Sequence, residues 1–316
     1  RPPRPPPPPA ADSVVCAEAA PPPPPPRPAR AGAAIPVIHL ELPPLYETAA
    51  LKRVYRVVDS LSYLDWGLCS DDIVAGCKRK AVTEAACRHS SGGEPASERL
   101  PPQARAQRAE PLTTRTSEHY GEATMATVER LLRTLEHLNE VVPCMRGWGP
   151  MWNLSADSTF VDIGSGYGKV IFHAKLRTDC RRCVGIECVT ARHLIAEQAL
   201  DRLSSELSEN ERAADALAGV QLMDADATHH KRLDYSHVYV FDRVFSSVTL
   251  SALAAVLQRS DWFVLVSSKP ARVWWECGLS KALPVCRLRF VTTGKERCTC
   301  TVFVNAQFAM TPARGR

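Results

Sequence analysis

No stretch of the sequence approaches the roughly 20 consecutive apolar residues that a bilayer-spanning helix needs, which excludes a transmembrane helix. A charged-then-apolar leader is lacking too. Arg1 stands where an initiator Met would, and the chain is read as a fragment or a processed product. Strong charge of one sign is absent. The formal net charge of +5 fits an acidic partner such as nucleic acid or chromatin, and equally fits an ordinary basic enzyme. Cysteine is not scarce, with 12 in the chain, but paired metal-ligand spacing is. Cys180 and Cys183 form a C-x-x-C and Cys298 and Cys300 a C-x-C. Zinc would require a second pair at suitable spacing, which Cys188 alone does not supply, so no metal is expected. Free thiols of a reducing compartment are the expectation. No internal repeat is visible.

What is present divides the chain into three. Seventeen of the 26 prolines precede residue 45, and residues 1–34 read as a proline-rich disordered arm. Residues 35–118 read as a small N-terminal subdomain, helical or mixed up to Leu68, with a flexible polar insert at about 76–111. Residues 119–316 carry regular periodicity. Met125, Val128, Leu131, Leu132, Leu135 and Leu138 recur at three and four, which predicts a helix burying one stripe. Strands are then expected at Thr159–Ile163, Cys183–Ile186, Val220–Met223, Val238–Phe241 and Phe263–Val266. Helices are expected at Lys169–Arg177, Ala191–Glu206 and Val248–Leu257. Short apolar runs alternating with helices predict an α/β fold whose mostly parallel sheet is covered on both faces. Val285–Thr292 and Thr299–Phe308 predict a C-terminal antiparallel hairpin.

The most informative segment runs from Phe160 to Lys169, where a buried strand enters Gly164-Ser165-Gly166-Tyr167-Gly168 and a helix follows. Glycine permits the tight turn and close ligand approach, and the helix-start amides can receive a polar or anionic group. A dinucleotide fingerprint would place glycine at the sixth position, which is Lys169. Asp162 would repel a pyrophosphate there but could meet a cationic amino group. Glu187 ends the next strand, where a carboxylate takes ribose hydroxyls. Asp224 and Asp226 follow the strand after that, within reach of an adenine amine. Carboxylates at successive strand ends predict a nucleoside site at the carboxyl edge of the sheet.

Tyr120-Gly121-Glu122, Phe160 to Gly168, Gly185-Ile186-Glu187 and Ser267-Ser268-Lys269-Pro270 together resemble the Dot-one family of histone H3 lysine methyltransferases, over about His119 to Lys269. The compact length resembles the small protist members. The resemblance implies a class I (Rossmann-like) methyltransferase fold, S-adenosyl-L-methionine as cofactor, a lysine in the globular core of H3 within nucleosomes as substrate, and a nuclear location. Carried over by motif, Tyr120, Glu122 and Thr124 would close over the methionine portion. Asp162 and the loop Gly164, Ser165, Gly166, Gly168 and Lys169 would hold its amino and carboxylate ends. Glu187 would bind the ribose, and Asp226 and Ala227 would flank the adenine. Tyr120, Asp242 and Phe245 are the expected catalytic positions.

Where the family has Asn-Asn-Phe the chain reads Phe241-Asp242-Arg243-Val244-Phe245, and Ala271 and Ala227 stand where aromatics are usual. Asp242 is read either as an acceptor for the incoming amine or as a solvated helix-start carboxylate. Phe241, Phe245, Trp274 and Trp275 are read either as channel walls or as packing. Arg1, Arg4, Arg27, Arg30 and Lys78-Arg79-Lys80 are candidate contacts to DNA or an acidic histone surface, or else solvated charge. Two alternatives remain: a class I methyltransferase acting on another protein or a small molecule, and a catalytically inactive cofactor-binding chromatin module.

Overall fold

The computed structural model describes residues 35–41, 47–62, 122–208, 216–293 and 297–309. The proline-rich arm, the polar insert and Tyr120 lie outside the described residues. The elements in order are β1 (Val37–Ile38), α1 (Ala49–Ser62), α2 (Met125–Glu136), α3 (Leu138–Val141), β2 (Thr159–Ile163), α4 (Lys169–Thr178), β3 (Arg182–Glu187), α5 (Thr190–Ser208) and β4 (Val220–Asp224). They continue with β5 (His237–Val240), α6 (Ser247–Arg259), β6 (Val264–Ser267), α7 (Ala271–Glu276), β7 (Ala282–Val291), β8 (Arg297–Asn305) and α8 (Ala306–Ala309). Among the described residues no helix is long and apolar enough to cross a membrane.

The strands form one sheet in the order β1-β7-β8-β6-β5-β2-β3-β4. The pairs β2/β3, β2/β5, β3/β4, β5/β6 and β1/β7 are parallel, and β8 is antiparallel to both β6 and β7. Without the edge strand β1, the seven strands in this order, with the last of them, β8, inserted antiparallel, make the class I methyltransferase fold. The central strands are short and apolar because both faces are covered. Phe160, Val161 and Ile163 of β2 are all buried, as are the four residues of β5 and of β6.

Each face has its own core. On one, Leu131, Leu132 and Leu135 of α2, Phe172 of α4 and Val54, Val57 and Val58 of α1 pack with Phe160, Tyr239 and Phe290. On the other, Leu253, Val256 and Leu257 of α6 and Trp274 of α7 pack with Val161, Ile163 and Phe303. A fully buried leucine of this kind contributes about 2 kcal/mol through apolar area alone. Local chemistry sets the helix starts. Thr124 caps α2 by accepting from the Thr127 amide at 3.3 Å, and Ser246 caps α6 by accepting from the Thr249 amide at 3.1 Å.

Two segments show what their sequence left open or extended too far. The described part of residues 35–118 joins the main body: β1 pairs with β7, and α1 contributes to the first core. The second hairpin strand closes at Asn305, where the side chain accepts from the Gln307 amide and turns Ala306–Ala309 into a helical turn. A bulge at Val285, between Pro284 and Cys286, shifts the register of β7 against β8.

Candidate active site

The carboxyl ends of β2, β3, β5 and β6 meet at one edge of the sheet. At the end of β2 the chain turns through Gly164, Gly166 and Gly168, all at positive φ (77°, 54° and 83°). These angles suit glycine and strain other residues. The Gly164 and Ser165 amides donate to the Ile186 carbonyl at 2.8 and 3.1 Å, which binds the loop to the end of β3. A Cβ on Gly164 would lie 3.4 Å from Phe245 Cζ, so the Phe245 ring rests against the loop. A Cβ on Gly168 would lie 2.8 Å from the Phe172 ring; there the constraint is packing of α4 on its own first turn.

Asp162 and Glu187 are buried side by side at this edge, 3% and 4% exposed. Glu187 is served by backbone: Oε2 accepts from the Gly166 amide and Oε1 from the Val189 amide, both at 2.8 Å. Asp162 is not. Among the described residues no hydrogen bond reaches its carboxylate, and burial together with the Glu187 charge pushes it well above the usual carboxylate range. One strand further, Asp226 is exposed and accepts from the Thr228 amide and hydroxyl at 2.8 and 2.7 Å through Oδ1, which opens a short helical turn with Ala227 buried beneath it. Asp224, also exposed, accepts from the Thr190 hydroxyl at 3.2 Å. The glycine loop, Asp162, Glu187, Phe245, Asp226 and Ala227 are thus brought to one edge.

Three expected cofactor contacts serve the frame of the crevice instead. The Lys169 ammonium pairs with Glu122, and with Asp59 of α1 at 2.6 Å. Burial alone would lower this ammonium, but the two carboxylates outweigh it and hold the group above its ordinary range. Lys169 therefore clasps the start of α4 to α1 and to the segment before α2, with its charge already matched. Thr124 is occupied in capping α2, and its amide donates to the Val291 carbonyl at 3.1 Å.

Asp242 corrects both of its readings, because it is neither solvated nor open to an amine. It is fully buried, and accepts from the Ser267 hydroxyl at 2.6 Å, the Ser268 amide at 2.8 Å and the Ser268 hydroxyl at 2.5 Å. Burial raises its pKa, and those hydrogen bonds oppose the rise. The Ser267 hydroxyl also accepts from Trp274 Nε1 at 2.8 Å, which makes Trp274, at 0% exposure, a core residue rather than a channel wall. Trp275 is half exposed and donates to the Ala282 carbonyl at 2.9 Å. Phe241 stacks on Phe290 at 6.1 Å. Asp59, Ser267 and Ser268 were not expected as site residues. For the serines a signal existed in the Ser-Ser-Lys-Pro motif; for Asp59 there was none, since its partner lies 110 positions away.

The edge offers buried acid, backbone amides and one aromatic face. Such a crevice can receive a ligand with a cationic group for Asp162 and polar groups for the loop. Among the described residues no group of three or more His, Cys, Asp or Glu could hold a metal ion.

A family model described as histone methylation protein DOT1 matches residues 148–211, from the approach to β2 through α5. That segment holds the glycine loop and Glu187, and the match agrees with the resemblance drawn from the motifs. No curated protein matches the chain. Among solved structures, it is similar to magnesium protoporphyrin IX methyltransferase from Synechocystis, with 13% identity over 57% of this chain and 82% of that one and a TM-score of 0.39. It is similar also to a SAM-dependent methyltransferase from Thiobacillus denitrificans, with 14% identity over 46% of this chain and 48% of that one and a TM-score of 0.31. A third is an RNA methyltransferase from Salinibacter ruber, with 16% identity over 46% of this chain and 74% of that one and a TM-score of 0.31. The chain spans about half the length of the Thiobacillus protein. The fold assignment rests on strand order, not on these likenesses.

Proposed function

We propose that this chain, whose glycine-loop segment matches the DOT1 histone methylation family, is an S-adenosylmethionine-dependent methyltransferase acting on a lysine of histone H3 in nucleosomes, in the nucleus. The observation that carries the reading is Asp162: a buried carboxylate with no donor among the described residues, beside a second carboxylate, at the mouth of a glycine loop. Such a group calls for a cationic hydrogen-bond donor, and the amino group of S-adenosylmethionine is one. The fit extends outward. Glu187, which takes one backbone amide on each oxygen, would have a lone pair on each left for ribose hydroxyls, and Ala227 and Asp226 would flank the adenine.

S-adenosylmethionine supplies, when bound, a methyl group on a positively charged sulfur. The chain's own work is positioning. Phe245 leans on Gly164 and would wall the crevice on that side once the ligand is bound. Asp242 anchors the loop that carries Phe245 to Ser267 and Ser268, so its part is to hold that wall. A lysine nucleophile must first lose its proton, at a cost of about 5 kcal/mol from a pKa of about 10.4 at pH 7. An apolar wall such as Phe245 lowers that cost by desolvating the amine. Tyr120, expected to close over the same crevice, remains part of the proposal.

A second reading, binding without transfer, is favoured by the complete engagement of Asp242, which leaves no open acceptor at that position. Nucleosomes treated with the protein and methyl donor, then read by mass spectrometry, decide between them. A methylated H3 lysine peptide with wild type, absent with Gly164→Arg, is expected; calorimetric binding of the donor without any methylated peptide would favour the second reading. Methylation of free small acceptors but not of H3 would reject the histone assignment.

A further inference from the structure

The C-x-x-C of the sequence lies away from the crevice, at the opposite end of β3. Cys180 follows the end of α4 and Cys183 is the second residue of β3, with a bend at Arg181 between them. Both side chains enter the first core, both are 0% exposed, and both are free thiols. The segment is held from several sides. The Lys175 ammonium donates to the Asp179 carboxylate at 2.7 Å and to the Cys180 carbonyl at 3.0 Å. The Arg181 amide donates to the Ala156 carbonyl at 2.7 Å, and the Cys183 amide to the Gly219 carbonyl at 3.0 Å. Asp179 closes α4 in the left-handed region, at φ 50°, a turn that aspartate tolerates better than most residues.

The two sulfurs face each other inside this frame. A hydrogen bond from Cys183 toward Cys180 holds the Cys180 thiol below its ordinary range and, with burial, pushes Cys183 above it. The Thr178 hydroxyl stands 2.9 Å from Cys180 Sγ, and the Lys175 ammonium favours negative charge on both sulfurs. An unequal pair of this kind is what thiol–disulfide chemistry uses, with one sulfur to attack and the other to resolve. The other thiols are placed differently. Cys298 and Cys300 stand two apart in β8, and alternate residues of a strand lie about 7 Å apart, the outer limit for a disulfide. Cys188 is exposed, and its thiol is raised by partial burial and by the charges of Glu187 and Asp226. Nor is the pair a metal site, since among the described residues no further His, Cys, Asp or Glu joins it in a group that could hold an ion.

We propose that Cys180 and Cys183 are a redox-active dithiol that closes to an intramolecular disulfide with hydrogen peroxide. The Cys180 thiolate attacks one peroxide oxygen, the O–O bond breaks, and the hydroxide released takes up the proton that Cys180 lost. The Cys183 sulfur then displaces the hydroxyl of the Cys180 sulfenic acid, so that the S–S bond forms and a second water leaves with the Cys183 proton. Two thiols are oxidised and one peroxide is reduced to two waters. Burial favours this small oxidant over a bulky thiol reagent. No methyl donor enters the step, so it stands or falls apart from the proposed methyl transfer. The test is to titrate the native full chain with hydrogen peroxide, quench with N-ethylmaleimide in urea, cut with trypsin and read by mass spectrometry. Trypsin leaves Thr178–Arg181 and Cys183–Arg192 as separate peptides. At the peroxide concentration that oxidises half of Cys188, Cys180 and Cys183 are expected to lose their maleimide label. The two peptides are expected to appear joined, lighter than their sum by two hydrogen atoms, with the bond on Cys183 and reversed by dithiothreitol. Cys188→Ser is expected to keep the joined pair. The proposal is overturned if Cys180 and Cys183 are recovered as maleimide adducts at that concentration, or if Cys180 is bonded to another cysteine. It is overturned equally if Cys180 reaches sulfinic acid without a bond, or if Cys188→Ser loses the joined pair.

Discussion

Two groups of buried acid, on either side of α4, show opposite chemistry. Behind the helix, in the seam of α1, α2 and α4, Glu129 is 1% exposed and accepts from His173 at 3.0 Å, Arg133 at 2.7 Å and Arg177 at 3.1 Å. Tyr55 of α1 hydrogen-bonds the other nitrogen of His173 at 3.0 Å, and Arg177 continues to Glu136. Burial would raise Glu129, but these three donors override it and bring its pKa down to about 2. In front of the helix, Asp162 is also buried and has no donor among the described residues, and it shifts the other way. The first arrangement is complete in the protein alone, and ties three helices together. The second is incomplete, and incompleteness is what a ligand site shows before its ligand arrives.

Each contrast can be broken by experiment. Glu129→Ala takes the carboxylate from a buried histidine and from Arg133, leaves Arg177 only Glu136, and is expected to cost about 4 kcal/mol in urea unfolding. Acid is the next lever. His237 is buried and its pKa is lowered from 6.5 to about 4, chiefly by burial. Native protein then refuses a proton that the unfolded chain accepts, so stability is full above about pH 6.5 and falls as pH drops toward 4, by about 3 kcal/mol at most. Glu129 extends the loss from about pH 4.5 toward 2. A melting temperature that is flat between pH 7 and 4 would contradict this. Gly168→Ala must push the Phe172 ring and hold a positive φ, for an expected cost of about 2 kcal/mol by the same unfolding assay. Asp162→Asn is the smallest in stability and the most telling. Removing one of two neighbouring like charges should leave unfolding within about 1 kcal/mol, while calorimetric affinity for S-adenosylmethionine falls at least tenfold, about 1.4 kcal/mol. If Asp162→Asn instead unfolds the protein as Glu129→Ala does, the distinction between the two acids is lost.

Much of the frame could be read from residue order. The expected strand Thr159–Ile163 matches β2 at both ends, because a buried apolar run bounded by a Ser-Thr start and a glycine leaves little freedom. Glu187 and the glycine loop were legible for the same reason: their positions follow from strand ends. What escaped depended on distant partners. Nothing in Phe241-Asp242-Arg243 tells that Ser267 and Ser268 will absorb the carboxylate, or that Trp274 will add its indole to the same hydroxyl. Lys169 looked like a ligand contact because it opens a helix after glycine; Asp59, far upstream, claims it. Where residues 35–62 pack was not legible, because their periodicity says only that they bury a stripe, and not against what.

The clasp at Lys169 bears on how short a working version of the protein can be. Cutting the chain just before the Tyr-Gly-Glu motif would strip Val54, Val57 and Val58 from the hydrophobic layer over α4 and α5, and would take away one of the two counter-charges at the first residue of α4. A trimmed protein that keeps every motif but drops Ala49–Ser62 should therefore be poorly soluble and loose around the glycine turn, even though no ligand-facing side chain has been removed.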